Sequence, residues 1–483
     1  MGQRWWHWPI SFLESVRHGG EGQGSAVNDK KDGFMISQHT FGNGGVPQRS
    51  WSMRLRSSIS AQARRPIVYG ALVGFAWLYY YRPEDFIPGL AYIPMAKITG
   101  VFAILALLVG MMSAGKVKVP RAVRYLLLLL LQMSLCVPLA IWPGGAFSVV
   151  SEKFSKAVVA AMLISMAVVT LRELRKLLWI QVSAVALVVF FSVLLQHTRD
   201  GRLEGVQKSI LENPNDLAIN IAISFPLGLA FMLNAKGFRK AIWCVALAFM
   251  AVAIVLTYSR SGLLAFILSL AVCVWEYGIK GKRYHLVAMV AGTLLLGLGL
   301  ALSSSHYRAR VESIVMGDIE GSGDKGSLDA RKALLKKSLY VAATHPLFGV
   351  GPGCFVLVDQ GWVVAHNSYT ELAAEDGFPA LVLFLLVMKE ALRNLSTIRQ
   401  SRSYQEDPEL RLFCQALRAG LFAYMVGACF ASLEYQLFSY MLVGYTCAMV
   451  GLVNQAPAET SGAQRIIRSE YRLSSHPRTV WSR

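Results

Sequence analysis

The chain has 483 residues, 54% of them hydrophobic and only 16% charged, with a formal net charge of +19. A soluble globule carries about 25% charged residues, so this composition excludes an ordinary soluble domain. The positive charge does not mark a nucleic-acid binder, because Lys and Arg gather in alternate short loops, which is the pattern of membrane orientation.

Residues 1–65 are rich in Gly, Ser, Gln and Arg and lack the apolar stretch of a signal peptide. They are expected to form a disordered cytoplasmic tail, in which Trp5-Trp6-His7-Trp8 is a candidate contact with the membrane surface. Apolar runs follow, such as Tyr125 to Trp142 and Leu177 to Leu195. Each is long enough to cross roughly 30 Å of hydrocarbon as a helix. The runs do not alternate as the strands of a membrane barrel do. The spans predicted are 66–80, 90–112, 123–142, 156–171, 177–196, 217–234, 239–257, 262–278, 285–303, 377–396, 412–430 and 436–454. The expected fold is therefore all-α, a polytopic integral membrane protein with about 12 transmembrane helices. A membrane domain covers 66–454 and includes a large loop at 304–376; a polar, basic, cytoplasmic tail covers 455–483.

Loops 113–124, 171–176, 234–240 and 276–285 hold 4, 3, 3 and 3 Lys/Arg, whereas loops 81–92, 142–156 and 257–262 hold 1, 2 and 1. The positive-inside rule then places both termini in the cytoplasm and the segments 197–216, 257–262 and 304–376 outside. A loop of that last length is usually functional. Of seven cysteines, six lie in or at the ends of apolar runs, and Cys354 alone sits in a long loop, so no disulfide framework is implied.

Four groups of residues on the outer side can do chemistry. In Gly201-Arg202-Leu203-Glu204-Gly205 and Asn213-Pro214-Asn215-Asp216, the Asn-Pro-Asn turn precedes a span. Asn215 or Asp216 is placed to cap it, and Arg202 is a candidate phosphate contact. In Thr257-Tyr258-Ser259-Arg260-Ser261-Gly262, Arg260 lies between two apolar runs with no acid nearby in sequence. It either snorkels to the headgroups or meets an anion, for which its planar fork suits phosphate. In Asp329-Ala330-Arg331-Lys332, Arg331 opens an amphipathic helix. The His345-Pro346-Leu347-Phe348-Gly349-Val350-Gly351-Pro352-Gly353 stretch that follows has no βαβ context, so its glycines imply a tight turn rather than a dinucleotide site. The fourth group runs from His366-Asn367-Ser368-Tyr369 to Gly377. A histidine at a membrane interface can be neutral near pH 7 and take a proton from a hydroxyl. On a helix His366 and Thr370 would share one face, as would Glu371 and Glu375. The same residues also fit a solvated helix with an ordinary surface histidine. Asp318, Glu320, Ser322, Gly323, Asp324 and Asp329 follow calcium-loop spacing only roughly, with departures at positions three and twelve, so no metal is expected there.

The order of these motifs, Arg202 to Gly205, Asn213-Pro214-Asn215, Arg260 to Leu264, Arg331 before His345 to Gly351, and His366 to Gly377, resembles the O-antigen ligase and O-antigen polymerase superfamily of bacterial envelope proteins. The resemblance implies a membrane fold like that of GT-C type glycosyltransferases. It implies a donor glycan carried on undecaprenyl diphosphate, and a glycan, lipid-A-core or protein acceptor. Transfer would occur at the periplasmic side of the inner membrane, without a nucleotide sugar, cofactor or metal. His366 is then the general base on the acceptor, and Arg260 and Arg331 steady the departing diphosphate. Arg202, Asn213, Asn215, Tyr369 and Gly377 would bind substrate. Ligase, polymerase and protein O-oligosaccharyltransferase branches stay open. A membrane transporter is the alternative from a different class, which mid-membrane charged pairs would favour; the predicted spans contain few charges, Lys97 among them.

Overall fold

A computed structural model describes residues 66–81, 98–102, 104–105, 119–199, 201–205, 211, 213–284, 292, 299, 324–358 and 363–455. The predicted tails, the span 285–303, most of 90–112 and the first part of the calcium-like loop lie outside the described residues.

The described chain is a bundle of helices. The first is α1 (Pro66–Tyr81). Next come α2 (Arg121–Cys136), extended by a 3-10 turn to Leu139, and a continuous helical stretch made of α3 (Pro143–Ser148), a π segment and α4 (Ser155–Ala167). Helix α5 (Leu171–Leu194) begins at a capping box. Thr170 Oγ1 accepts the Glu173 N–H at 3.2 Å, and Glu173 Oε2 accepts the Thr170 N–H at 3.1 Å, so two orphan donors are satisfied reciprocally. A two-stranded hairpin, β1 (Thr198–Arg199) and β2 (Arg202–Leu203), precedes α6 (Pro214–Asn234), α7 (Phe238–Leu256) and α8 (Arg260–Cys273). After α9 (Asp324–Thr344) and the short α10 (Phe355–Val358), the long α11 (Ser368–Gln400) is broken at Gly377. Helices α12 (Arg402–Glu406), α13 (Pro408–Gly427) and α14 (Leu437–Gln455) complete it.

Among the described residues six helices are long and apolar enough to cross a membrane: 121–139, 171–194, 214–234, 238–256, 260–279 and 437–454. This is a multi-pass, all-α membrane protein. Helix α6 is apolar around its whole circumference and is buried from Leu217 to Met232, as expected of a helix enclosed on every side. Helices α7, α8 and α13 enclose it. Small residues bring these helices close: a Cβ on Gly420 of α13 would lie 3.0 Å from the Ile223 carbonyl of α6. Helix α14 packs on α4, and α11 packs on α2, α9 and α14. The outer faces of α2 and α7 expose Leu127, Leu128, Leu131, Ile242 and Val245, as a hydrocarbon-facing surface requires.

The loops segregate to two ends. At one end α7 finishes and α8 starts, α6 starts at Asn213, and the turn 428–436 joins α13 to α14. At the other end Arg175 donates to Glu409 at 3.1 Å and Tyr277 to the Leu412 carbonyl at 2.8 Å. Loops assigned to opposite sides by charge are thus found at opposite ends.

Candidate functional site

The hairpin positions Arg202. Arg199 pairs with Arg202 across the turn at Gly201. The Arg202 Nε donates to the Thr257 carbonyl at 3.0 Å, and its Nη2 donates to Asn215 Oδ1 at 2.9 Å. One guanidinium therefore joins three segments that sequence had named separately. Asn213 is the true cap of α6, its Oδ1 accepting the Asn215 N–H at 2.8 Å. The expectation that Asn215 or Asp216 caps the helix is corrected: Pro214 takes the first helical position, which leaves the Asn215 side chain free for Arg202.

Arg260 is the first residue of α8, after the cap Ser259, whose Oγ accepts the Gly262 N–H at 3.2 Å. The α8 terminus lies directly on α6, because a Cβ at Gly262 would fall 2.2 Å from the Ala218 Cβ. Arg260 is half-buried there. A cation at the positive end of a helix dipole is disfavoured unless an anion accompanies it, and the same terminus offers unpaired N–H groups to that anion.

Arg331 lies eight residues into α9 rather than opening it, a correction to the expected boundary. Helix α9 packs on the start of α11, where Ser338 Oγ donates to Thr370 Oγ1 at 2.9 Å. Arg331 thereby comes close enough to His366 to act on it electrostatically. His366 is half-buried, and it precedes α11 instead of belonging to it. Asn367 caps the helix, its Oδ1 accepting the N–H groups of Tyr369 at 3.0 Å and Thr370 at 3.2 Å. The expected shared helical face of His366 and Thr370 is therefore absent. The His366 backbone has φ +55°, a left-handed conformation. That costs a non-glycine residue about 1–2 kcal/mol and persists only where neighbours enforce it. Burial, and then the Arg331 guanidinium, hold the imidazole below its ordinary pKa, so its neutral, proton-accepting form prevails at pH 7.

Tyr369 donates its hydroxyl to the Met425 carbonyl at 2.9 Å, and burial, then Cys429, push its pKa up to about 12. Gly377 has φ +81°, and a Cβ there would lie 2.4 Å from the Leu347 carbonyl oxygen. Only glycine allows α11 to kink against the Pro346–Phe348 turn. Gly349 is excluded from substitution in the same way, since its Cβ would lie 2.2 Å from the Glu375 carbonyl carbon. The glycine-rich stretch is thus a strap laid along α11, with Val350 N–H donating to the Ala374 carbonyl at 2.9 Å and Gly351 N–H to that of Glu375 at 2.8 Å.

Sequence reading left a group of buried acids unrecognised. Glu371, Glu375, Asp376 and Glu434 are each at most 2% exposed, which rules out the solvated-helix reading of this segment. Glu375 accepts the N–H groups of Gly353 and Phe355, both at 2.8 Å, and the Tyr435 hydroxyl at 2.6 Å. Burial, reinforced by neighbouring carboxylates, pushes Glu371 and Glu434 upward, so they hold protons at neutral pH. One oxygen from each of Glu371, Glu375 and Glu434 lies within 4.8 Å of the others, the one arrangement among the described residues with the donors for a metal ion. The signal available in sequence was the pair Glu371 and Glu375 on one helical face, without Lys or Arg between them and the next span.

The turn 428–436 links the two halves of the site. Gln436 lies close to Asp216 at the start of α6, while Ala431 and Ser432 bond the start of α11. Arg202, Asn213, Asn215 and Arg260 stand on the α6 side, and Arg331, His366, Tyr369 and Gly377 on the α11 side.

Residues 245–385 match a family model described as O-antigen ligase. The matched segment contains Arg260, Arg331, His366, Tyr369 and Gly377, and it supports placing the chain in the O-antigen ligase/polymerase superfamily. Arg202, Asn213, Asn215 and the turn 428–436 lie beyond it. No curated protein matches the chain.

Proposed function

We propose that this protein transfers a glycan from an undecaprenyl diphosphate carrier to an acceptor hydroxyl at the periplasmic face of the bacterial inner membrane, with both termini in the cytoplasm. The observation that carries the reading is the pairing of a half-buried His366, kept neutral, with the Arg331 guanidinium beside it. A base and a diphosphate-binding cation are the two groups a direct displacement needs.

In the reaction His366 takes the proton of the acceptor hydroxyl. The acceptor oxygen forms a bond to the anomeric carbon, and the bond from that carbon to the phosphate oxygen breaks, its electron pair leaving on the diphosphate. The configuration inverts. Negative charge grows on the leaving oxygens, where Arg331, Arg260 and the α8 N-terminus oppose it. Such preorganised charge stabilisation is commonly the largest catalytic contribution. Arg331 serves twice, since the charge that holds the leaving group also keeps His366 deprotonated. An apolar cavity of about 670 Å³ between α2 and α11, lined by Leu128, Leu131, Leu135, Leu347, Phe378 and Val382, adjoins the Gly377 kink and suits a polyprenyl chain.

The test is transfer by the purified protein from lipid-linked glycan to lipid-A-core, glycan and protein acceptors. His366→Gln retains hydrogen bonding without basicity, and loss of a positioned base costs about a hundredfold to ten-thousandfold in rate. Near-normal transfer by that variant would remove His366 as the base, and failure of every acceptor class would remove the transferase reading.

A further inference from the structure

We infer that the turn 428–434 is the clamp that sets His366 for proton transfer, and that Glu371, bonded to Ser432, is its positioning residue. This rests on His366 acting as the base. His366 cannot hold its left-handed backbone by itself, and no helical hydrogen bond fixes it. Its two chain neighbours are fixed instead. On the far side, Asn367 caps α11 and is followed by Ser368, which is wholly buried. The Ser368 N–H donates to the Ala428 carbonyl at 2.8 Å and its Oγ to the Ala431 carbonyl at 2.7 Å, while that Oγ accepts the Leu433 N–H at 2.7 Å. On the near side, the Glu371 carboxyl lies close enough to the Ala365 backbone to interact with it. The same carboxyl accepts the Ser432 hydroxyl. Glu371 therefore bonds the turn that grips the residues after His366, and it lies beside the residue before His366.

Glu434 and Glu375 flank Glu371, Asp376 acts on Glu434, and Lys153 is the cation felt at Glu375. A neutral, hydrogen-bonded Glu371 is compatible with those neighbours, so its role is directional bonding rather than charge. The turn lies outside residues 245–385, whereas His366, Ser368 and Glu371 lie inside, so the matched segment meets a later part of the chain at this contact.

The experiment measures kcat and donor KM for the full chain, per folded molecule, with lipid-linked glycan and an accepted acceptor. Glu371→Ala frees the turn, and a displaced reacting group costs on the order of a hundredfold in rate. The expected result is a fall in kcat of about ten- to a hundredfold, with donor KM within about twofold because the arginines are untouched. Glu371→Gln keeps a side chain that bonds Ser432, so it should return most of kcat. Ser432→Ala should lower kcat by a smaller factor in the same direction, and it decides the matter if Glu371→Ala does not fold. An unchanged kcat in Glu371→Ala, or in Ser432→Ala where that variant decides, overturns the clamp. Equal losses in Glu371→Gln and Glu371→Ala also overturn it, since they would show that charge and not bonding matters. His366→Ala in parallel separates the two claims. Activity retained there removes the base and the clamp together, whereas activity lost there but kept in Glu371→Ala removes the clamp alone.

Discussion

Arg399 donates to the buried carboxylate of Glu276 at 2.8 Å, at the end of the bundle opposite His366. Arg418 reaches the same oxygen at 3.0 Å, and Gln415 approaches the other at 3.4 Å. The π-helical continuation of α8 (Val274–Ile279), α11 and α13 therefore meet at one acid that is 2% exposed. Glu276→Gln should lower stability by about 2 kcal/mol, less than the 3–5 kcal/mol of a wholly buried pair because both arginines keep some contact with water. Thermal unfolding in detergent measures this. Transfer per folded molecule should be unchanged, and a large loss of kcat would show that the two ends are coupled.

The pH profile tests Arg331 separately from its part in binding donor. His366 titrates below its ordinary pKa because burial and Arg331 disfavour the imidazolium. The base must be neutral, so activity is present above that pKa and falls as pH drops through it. Arg331→Ala removes one of the lowering causes. The acidic limb should move to higher pH, toward the ordinary value of about 6.5, in addition to the loss of rate. Arg331→Lys keeps a charge and should leave the limb nearly in place. A limb that stays fixed in Arg331→Ala would mean that the titrating group is not His366.

Hydrophobic run length and loop charge made the architecture legible, because a bilayer imposes both directly on sequence. The described spans fall close to the expected ranges, and the loops sort to two ends as their charges imply. The local structural roles of the motif residues were not legible. Asn213 rather than Asn215 caps α6, and His366 stands before α11 rather than on it. Both depend on backbone choices within two residues, finer than any periodicity resolves. The Glu371–Ser432 bond was not legible, since it joins positions 61 apart. Such a contact depends on tertiary packing, for which a single sequence carries no local signature.

Tyr340 and Gln400 provide a direct test of sidedness. Both are exposed, one on α9 and one at the end of α11, and the proposed orientation puts position 340 in the periplasm and position 400 in the cytoplasm. Cys244 and Cys429 are the exposed thiols among the described residues and should be replaced by Ser first. Tyr340→Cys should then react with a membrane-impermeant maleimide in cells with a permeabilised outer membrane, and Gln400→Cys only after the inner membrane is broken. Reaction of both from the same side would defeat the orientation.

Arg260 gives a separate test of the diphosphate role, because its effects on folding and on transfer can be measured apart. It is the first residue of α8, where the helix dipole favours negative charge. Thermal unfolding of Arg260→Ala measures what its contacts contribute to the fold, and transfer per folded molecule should fall in addition. A hydrogen bond to a charged group contributes about 1.5–3 kcal/mol, which corresponds to a loss of roughly ten- to a hundredfold in kcat/KM for the lipid-linked donor. Arg260→Lys keeps the charge but not the paired geometry on phosphate oxygens, so it should recover only part of the loss. The acceptor KM should be unaffected in both variants. If Arg260→Ala is destabilised while the surviving folded protein transfers at the normal rate, Arg260 is a structural residue and the diphosphate must be held elsewhere.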